Sequence, residues 1–103
     1  MFLVVMGVAG SGKTTLGQAL GQRLSWEFRD ADGFHPAANI AKMKAGTPLQ
    51  DEDRWPWLRA IRSHMESEQA AGRSGIIACS ALKEIYRDTL GRGEPWIRFV
   101  HLN

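Results

Sequence analysis

The sequence has a single cysteine, Cys79, among its 103 residues, so no disulfide bond can form within the chain. It also lacks a long hydrophobic run. The apolar segment at residues 1–6 is far shorter than a membrane-spanning helix, and no basic segment precedes it as in a signal peptide. These features predict a cytoplasmic protein that has no membrane partner.

Blocks of like charge are absent as well. The formal net charge is +2, and the Lys and Arg residues are spread among Asp and Glu, which argues against a nucleic-acid partner despite a basic pI. The composition, with 44% hydrophobic and 23% charged residues, is that of a folded domain. A chain of this length is expected to form a single domain, residues 1–103, around one core that suits small anionic ligands.

Strand and helix patterns alternate along the chain. Apolar or alternating segments predict strands at 2–6, 26–30, 75–79 and 96–102, and apolar residues at helical spacing predict helices at 13–24, 39–45, from the start near Asp51 to about Ala71, and 82–90. Pro56 is expected in the first turn of its helix, which predicts Asp51 or Asp53 as the N-cap. The order β-α-β-(α-α)-β-α-β predicts an α/β fold with a parallel sheet and ligands at the carboxyl ends of its strands.

The segment from Gly7 to Thr14, GVAGSGKT, fits the phosphate-binding motif G-x-x-x-x-G-K-[ST] between a predicted strand and a predicted helix. Glycines in such a loop let backbone N–H groups surround a phosphate, the lysine adds a positive charge, and the threonine hydroxyl binds Mg²⁺. The motif therefore predicts ATP and Mg²⁺ as ligands, with Thr14 on the metal. The predicted nucleotide-binding residues are Gly7, Gly10, Ser11, Gly12, Lys13, Thr14 and Thr15.

The phosphate-binding motif does not identify the phosphoryl acceptor, so other residues must do so. The strand at 75–79 is followed by Ser80 and not by the acid typical of ATPases and GTPases. Asp30 and Asp32 follow the strand at 26–30, where Asp30 is predicted to reach the metal through water and Asp32 to reach the acceptor hydroxyl. Each Asp alone would more often be a turn or cap residue.

Several blocks of the sequence resemble gluconokinases over nearly its whole length. They are MGVAGSGKTT, DADGFHPAANIAKMKAGTPLQDEDRWPWL, ACSALKEIYRD and RFVHLN. The resemblance implies transfer of the γ-phosphoryl group of ATP to the 6-hydroxyl of D-gluconate, as part of carbohydrate metabolism. It also implies a three-layer P-loop NTPase fold shared with shikimate and nucleoside monophosphate kinases, with residues 33–72 as a helical acceptor-binding insertion.

The gluconokinase pattern implies roles for individual residues. Lys13 and Asp32 would be catalytic, with Asp32 orienting and helping to deprotonate the acceptor hydroxyl, and His35 would contact the polyol. The carboxylate of gluconate needs a cation, for which Arg54 is the first candidate because a guanidinium can bind it bidentately. Lys42, Lys83 and Arg87 are the alternatives.

Gluconokinases continue past the fourth strand into an arginine-bearing lid, a further strand and an adenine-binding loop. By this comparison the fold is C-terminally incomplete, and the chain is expected to bind MgATP weakly and to phosphorylate gluconate very slowly. The uncovered strand at 96–102 predicts self-association, with a homodimer as one form of it. Two other functions stay open: a non-catalytic nucleotide-binding remnant, and a kinase of another small hydroxy acid such as shikimate.

Overall fold

A computed structural model of the protein describes residues 1–7, 11–80 and 83–102. These residues form strands, α-helices and one 3₁₀ helix in the predicted alternating order. The elements are β1 (Phe2–Met6), α1 (Lys13–Leu24), β2 (Glu27–Asp30), the 3₁₀ helix (Ala31–Phe34), α2 (Ala37–Lys44), α3 (Asp51–Ala70), β3 (Gly75–Cys79), α4 (Glu84–Leu90) and β4 (Ile97–His101). None of the helices in this described part of the chain is long and apolar enough to cross a membrane.

The strands form one parallel sheet in the order β2-β3-β1-β4, which confirms the predicted α/β class. Val4 of β1 pairs with Ile77 of β3 on one side and with Phe99 of β4 on the other. Because the strands run in one direction, the segments that follow β1, β2 and β3 leave the sheet at the same edge. Among the described strands β2 and β4 lie at the sides of the sheet, and self-association through 96–102 stays a prediction.

Helices cover both faces of the sheet and give three layers. On one face, alternate residues of β1 and β3 pack against α3 and α4. This main core includes Phe2, Val4, Met6, Ile77, Cys79, Leu58, Ile61, Met65 and Leu90, all almost completely buried. Helix α1 lies on the other face, where Gly21 approaches Ile76. The segments that connect strands to helices therefore lie at the edge of the sheet where the carboxyl ends of the strands meet.

Helix α1 packs on the sheet through its glycines. Gly17 and Gly21 are its buried residues, whereas Leu24 is 42% exposed. A Cβ at Gly17 would collide with the ring of Phe28 on β2, so glycine allows the close approach that the sequence indicated. The apolar residues from which α1 was predicted are therefore not the residues through which it packs on the sheet.

Three helix starts differ from the predictions, and one of them is that of α4, which begins at Glu84 and not at residue 82. The N-cap of α3 is Gln50, and neither Asp51 nor Asp53 takes that position; Pro56 is then the sixth helical residue and not part of the first turn. The earlier start is stabilised because the Asp53 carboxylate accepts a hydrogen bond from the Gln50 backbone N–H at 2.9 Å. Helix α2 begins at Ala37, two residues before the predicted start, directly after Pro36.

Candidate active site

The start of the phosphate-binding motif is tightly packed. Gly7 is buried, and a Cβ there would collide with Ser11 Oγ and would lie 3.3 Å from the Leu102 carbonyl oxygen. Ser11 Oγ is buried and has no hydrogen-bond partner among the described residues. Gly10 lies outside the described residues.

Helix α1 begins in an open depression of about 340 Å³ lined by Gly12, Lys13, Thr14 and Thr15. Gly12 is the N-cap with φ of 90°, a backbone conformation that glycine adopts without strain, and it places no side chain over the helix start. The first N–H groups of a helix have no partner within it. Together with the Lys13 ammonium they form a donor set that fits a phosphate.

A metal ion at this site would be held by the phosphates as well as by the protein. Within the described ranges no group of three His, Cys, Asp or Glu residues could hold an ion by itself. Thr14 is exposed at the helix start, where its hydroxyl is open to a ligand. Mg²⁺ is usually held by one or two protein oxygens together with substrate phosphates and water, so the residues present fit MgATP.

A second cavity, the polar cleft, opens beyond the carboxyl ends of β2 and β3 and has a volume of about 340 Å³. It is lined by Asp32, His35, Met43, Leu49, Arg54, Trp57, Ser80, Lys83 and Tyr86. Asp32, His35 and Arg54, which were predicted to contact the acceptor, are among them, and so is Lys83, one of the alternative cations. The alternatives Lys42 and Arg87 are not, because Lys42 binds Asp53 at 2.7 Å and Arg87 lies 3.2 Å from His101.

Asp30 and Asp32 have different surroundings although they are close in sequence. Asp30 is the N-cap of the 3₁₀ helix, and its Oδ1 accepts a hydrogen bond from the Asp32 backbone N–H at 2.9 Å. This bond holds the backbone of Asp32, whose side chain is 78% exposed at the cleft. Asp32 is thus available to a ligand, and metal binding by Asp30 stays a prediction.

His35 is held between two elements. Its ring stacks on the indole of Trp57 at 4.4 Å with an angle of 12°, and Trp57 Nε1 donates to the Ala31 carbonyl at 2.7 Å. The His35 side chain is only 5% exposed, and its Nε2 lies 3.9 Å from Asp32 Oδ1. Burial lowers the pKa of His35, the Asp32 carboxylate opposes that shift, and Arg54 adds to it.

The lowered pKa of His35 predicts a loss of stability in mild acid. In the unfolded chain the histidine titrates near its ordinary pKa of about 6.5, so just below that pH the unfolded state binds a proton that the folded state does not. The free energy of unfolding should therefore fall as pH decreases through this window. Thermal denaturation of wild type and His35→Gln measures it, and parallel pH profiles would contradict the expectation.

Arg54, Lys83, Tyr86 and Asp51 form a charged cluster at the mouth of the polar cleft. Asp51 Oδ1 accepts hydrogen bonds from the Tyr86 hydroxyl and, at 3.1 Å, from Lys83 Nζ, while an Arg54 nitrogen lies 3.9 Å away. Arg54 also donates to the Tyr86 hydroxyl at 3.2 Å. The bonds from Tyr86 and Lys83 lower the pKa of Asp51, and the bond to Asp51 raises that of Lys83. The cluster joins the start of α3 to the start of α4.

Sequence reasoning did not assign several residues of the cleft. Tyr86 and Trp57 are among them. Tyr86 is the single tyrosine of the chain and follows Lys83 closely in the sequence. Its hydroxyl group is a polar feature in an otherwise apolar pattern. Asn39 lies outside the cleft, in the short helix α2, and is buried there. A buried polar side chain needs a hydrogen-bond partner.

Comparisons with known proteins agree with this geometry. A probable gluconokinase of Xenopus tropicalis is 52% identical over 93 residues, which is 90% of this chain and 49% of that protein. An unliganded sugar kinase from Janibacter sp. HTCC2649 superposes with a TM-score of 0.88 at 52% identity over 99% of this chain and 59% of its own. A gluconokinase from Sinorhizobium meliloti 1021 gives 0.82 at 44% identity over 96% of this chain and 55% of its own.

The resemblance to gluconokinases is therefore confirmed, as is the predicted kinase-like fold. The chain spans about half the length of the curated relatives it matches. The sequence profile of the shikimate kinase family matches residues 9–97, which include most of the phosphate-binding motif and all the residues that line the polar cleft. Because this match extends over most of the chain, the protein belongs to the shikimate kinase family.

Proposed function

We propose that the protein is a cytoplasmic gluconokinase that transfers the γ-phosphoryl group of ATP to the 6-hydroxyl of D-gluconate. The observation that carries the proposal is the polar cleft, in which a carboxylate, a histidine and two cations meet. The cleft and the phosphate-binding motif follow strands that end at the same edge of the sheet. A phosphoryl donor and a small anionic acceptor can therefore bind next to each other.

The phosphate-binding motif is the donor site in this proposal. Lys13, Ser11 and the first N–H groups of α1 would bind the β and γ phosphates. Thr14 would hold Mg²⁺, with Asp30 acting through water, and the ion would neutralise charge on the phosphates. The protein's own part is to fix the phosphates in place with donors whose positions are already set.

Asp32 is the residue that acts on the acceptor. Its carboxylate would accept the proton of the 6-hydroxyl as that oxygen forms a bond to the γ-phosphorus and the bond from phosphorus to the leaving oxygen of ADP breaks. The high exposure of Asp32 and its place in the cleft support this role. The products are 6-phosphogluconate, ADP and a proton.

Arg54 and Lys83 would bind the carboxylate of gluconate. Both line the cleft, and both already face one carboxylate, that of Asp51. Asp51 therefore competes with the substrate carboxylate for these two cations. Of the two, only Arg54 has several donors in one plane, and its guanidinium also donates to Tyr86. This arrangement favours a sugar acid over an uncharged sugar.

Acceptor preference tests the proposal. We expect gluconate to be phosphorylated far better than shikimate or a nucleoside monophosphate, and Arg54→Ala to raise KM for gluconate by about 10- to 100-fold, since hydrogen bonds to charged groups contribute about 1.5–3 kcal/mol. A coupled ADP-release assay with each acceptor measures both. Arg59→Ala, which removes an exposed arginine of the same helix, is the matched control.

Shikimate is the one competitor that a specific observation favours, because the matching family profile is that of shikimate kinase. A higher kcat/KM for shikimate than for gluconate would contradict the proposal but leave the phosphotransferase class in place. An unchanged KM in Arg54→Ala would contradict the assignment of the carboxylate site alone.

A further inference from the structure

Asn39 is a polar residue that is almost fully buried, at 3% exposure. Its Nδ2 donates to the Asp53 carbonyl oxygen at 2.7 Å and lies 3.2 Å from His35 Nδ1. A carbonyl oxygen can only accept a hydrogen bond, so the Asp53 contact requires the amide nitrogen of Asn39 at this position. The orientation of the amide is thereby fixed.

The same amide nitrogen determines where His35 carries its proton. Nδ2 has two hydrogens; one points to Asp53, and the second faces His35 Nδ1, which must therefore present a lone pair. A neutral imidazole with a bare Nδ1 has its proton on Nε2. Protonation of Nδ1 would place an N–H against an N–H donor, so both the imidazolium and the other tautomer are disfavoured.

The Asp53 carbonyl is held in place by the start of α3. Pro56 has no N–H to offer to the carbonyl of Glu52, and the next carbonyl, that of Asp53, accepts the side chain of Asn39. The Asp53 carboxylate binds Lys42 of α2 at 2.7 Å. Helices α2 and α3 are thus fastened together around the amide of Asn39.

We propose that Asn39 is a positioning residue that keeps His35 as a neutral imidazole with its proton on Nε2, so that His35 acts in the polar cleft as a hydrogen-bond donor beside Asp32 and not as a base. Its place in catalysis rests on the proposed function, whereas the position of the proton does not. Asp32 is then the only base of the pair, and the His35 N–H can bind its carboxylate or a hydroxyl of the acceptor.

The charges around His35 agree with this division of roles. Asp32 of the 3₁₀ helix faces Nε2, Arg54 of α3 brings positive charge nearby, and the amide of Asn39 from α2 faces Nδ1. The carboxylate of Asp53 binds Lys42. Asp53 therefore acts on His35 only through its backbone carbonyl, which accepts the hydrogen bond from Asn39. No acceptor for an Nδ1 proton is therefore present among these groups.

The direct test is ¹⁵N NMR of histidine-labelled protein without substrate. We expect His35 to show a protonated Nε2 and an unprotonated Nδ1 from about pH 8 to below its ordinary pKa of about 6.5. The protein has three histidines, and His35→Gln identifies the signals. A proton on Nδ1 of wild-type His35 would overturn the proposal, and this result does not depend on any acceptor.

Two substitutions separate positioning from a merely structural role. Asn39→Asp offers Nδ1 an acceptor, so the ring should take a proton there and kcat/KM should depend on pH between about 6 and 8, where a raised histidine pKa would lie. Asn39→Leu removes the donor without supplying an acceptor and serves as the matched control. Both should lower Tm, but only Asn39→Asp should protonate Nδ1; equal NMR spectra for the two would overturn the proposal.

Rescue by a conservative change completes the test. The Gln side chain carries an amide N–H₂ near the position of Nε2, whereas that of Asn carries it near Nδ1. His35→Gln should therefore keep kcat for gluconate within about tenfold of wild type, and His35→Asn should lose more, since one hydrogen bond to a charged group contributes about 1.5–3 kcal/mol. The reverse order would overturn the donor role. A higher kcat/KM for another acceptor than for gluconate would instead contradict the proposed function and leave the NMR result standing.

Discussion

Replacement of Asp32 by asparagine is expected to lower kcat for gluconate by about 100- to 10,000-fold, the usual contribution of a positioned general base. MgATP affinity and Tm should stay close to wild type. The side chain is 78% exposed and lies 3.9 Å from His35 Nε2, so little packing depends on its charge. The backbone N–H of residue 32 still bonds to Asp30 in the variant. Steady-state kinetics together with calorimetric titration of MgATP measure the two effects.

Asp88→Asn is the matched control for this substitution. Asp88 is a half-exposed carboxylate on α4 that pairs with Arg92 and does not line the polar cleft. We expect its kcat to remain within about twofold of wild type, because Asp88 contacts no ligand in the cleft. Loss of its exposed ion pair should lower the free energy of unfolding by at most about 1 kcal/mol. A similar loss in both variants, or a loss of MgATP affinity in Asp32→Asn equal to the loss of kcat, would contradict the role of Asp32 as the base.

The central strands β1 and β3 could be predicted because they are buried on both faces. Runs such as Gly75–Cys79 consist of small and apolar residues without alternation, which is typical of a central parallel strand, and all five of its residues are buried. Helix positions were predictable from the spacing of apolar residues, but the residues through which α1 is buried were not. The two glycines of α1 make its contact with the sheet, and an apolar count ignores glycine.

The start of α3 shows a limit of local rules. Proline disfavours a helix interior because it removes one hydrogen bond, and this predicted a late start. The N-cap is nevertheless Gln50 and not Asp51 or Asp53, since the Asp53 carboxylate binds the Gln50 N–H, Lys42 of α2 binds Asp53, and buried residues such as Leu58 anchor the following turns. Tertiary contacts of this kind, 11 residues apart in sequence for Lys42 and Asp53, are not visible in a local pattern.

The candidate site divides in a similar way. Asp32, His35, Arg54 and Lys83 could be selected from the sequence because the gluconokinase blocks contain them, and the structure places them in one cleft. The contacts that orient them come from far along the chain. Tyr86 reaches Asp51 across 35 residues and Trp57 reaches Ala31 across 26. Supporting residues of this kind are chosen by the fold, so only the structure could identify them.

Lys13→Ala is expected to weaken MgATP binding by about 10- to 100-fold, because it removes one charged donor to the phosphates. It should also lower kcat by about 100- to 1,000-fold, the usual cost of losing one donor aimed at developing charge. Within the described residues Lys13 makes no hydrogen bond or ion pair, and it lies at an open depression, so the fold should not change. Calorimetric titration with MgATP, circular dichroism and the coupled assay measure the three quantities.

Arg23→Ala gives the matched control, since it removes a cation from the last turn of the same helix and changes the net charge equally. Favourable contact of Arg23 with the helix carboxyl end contributes only about 0.3–1 kcal/mol, so its loss should lower Tm slightly and leave MgATP affinity unchanged. If Lys13→Ala and Arg23→Ala weakened MgATP binding to the same extent, the effect would come from net charge alone. The donor site would then lack the specific phosphate contact on which the whole proposal of phosphoryl transfer depends.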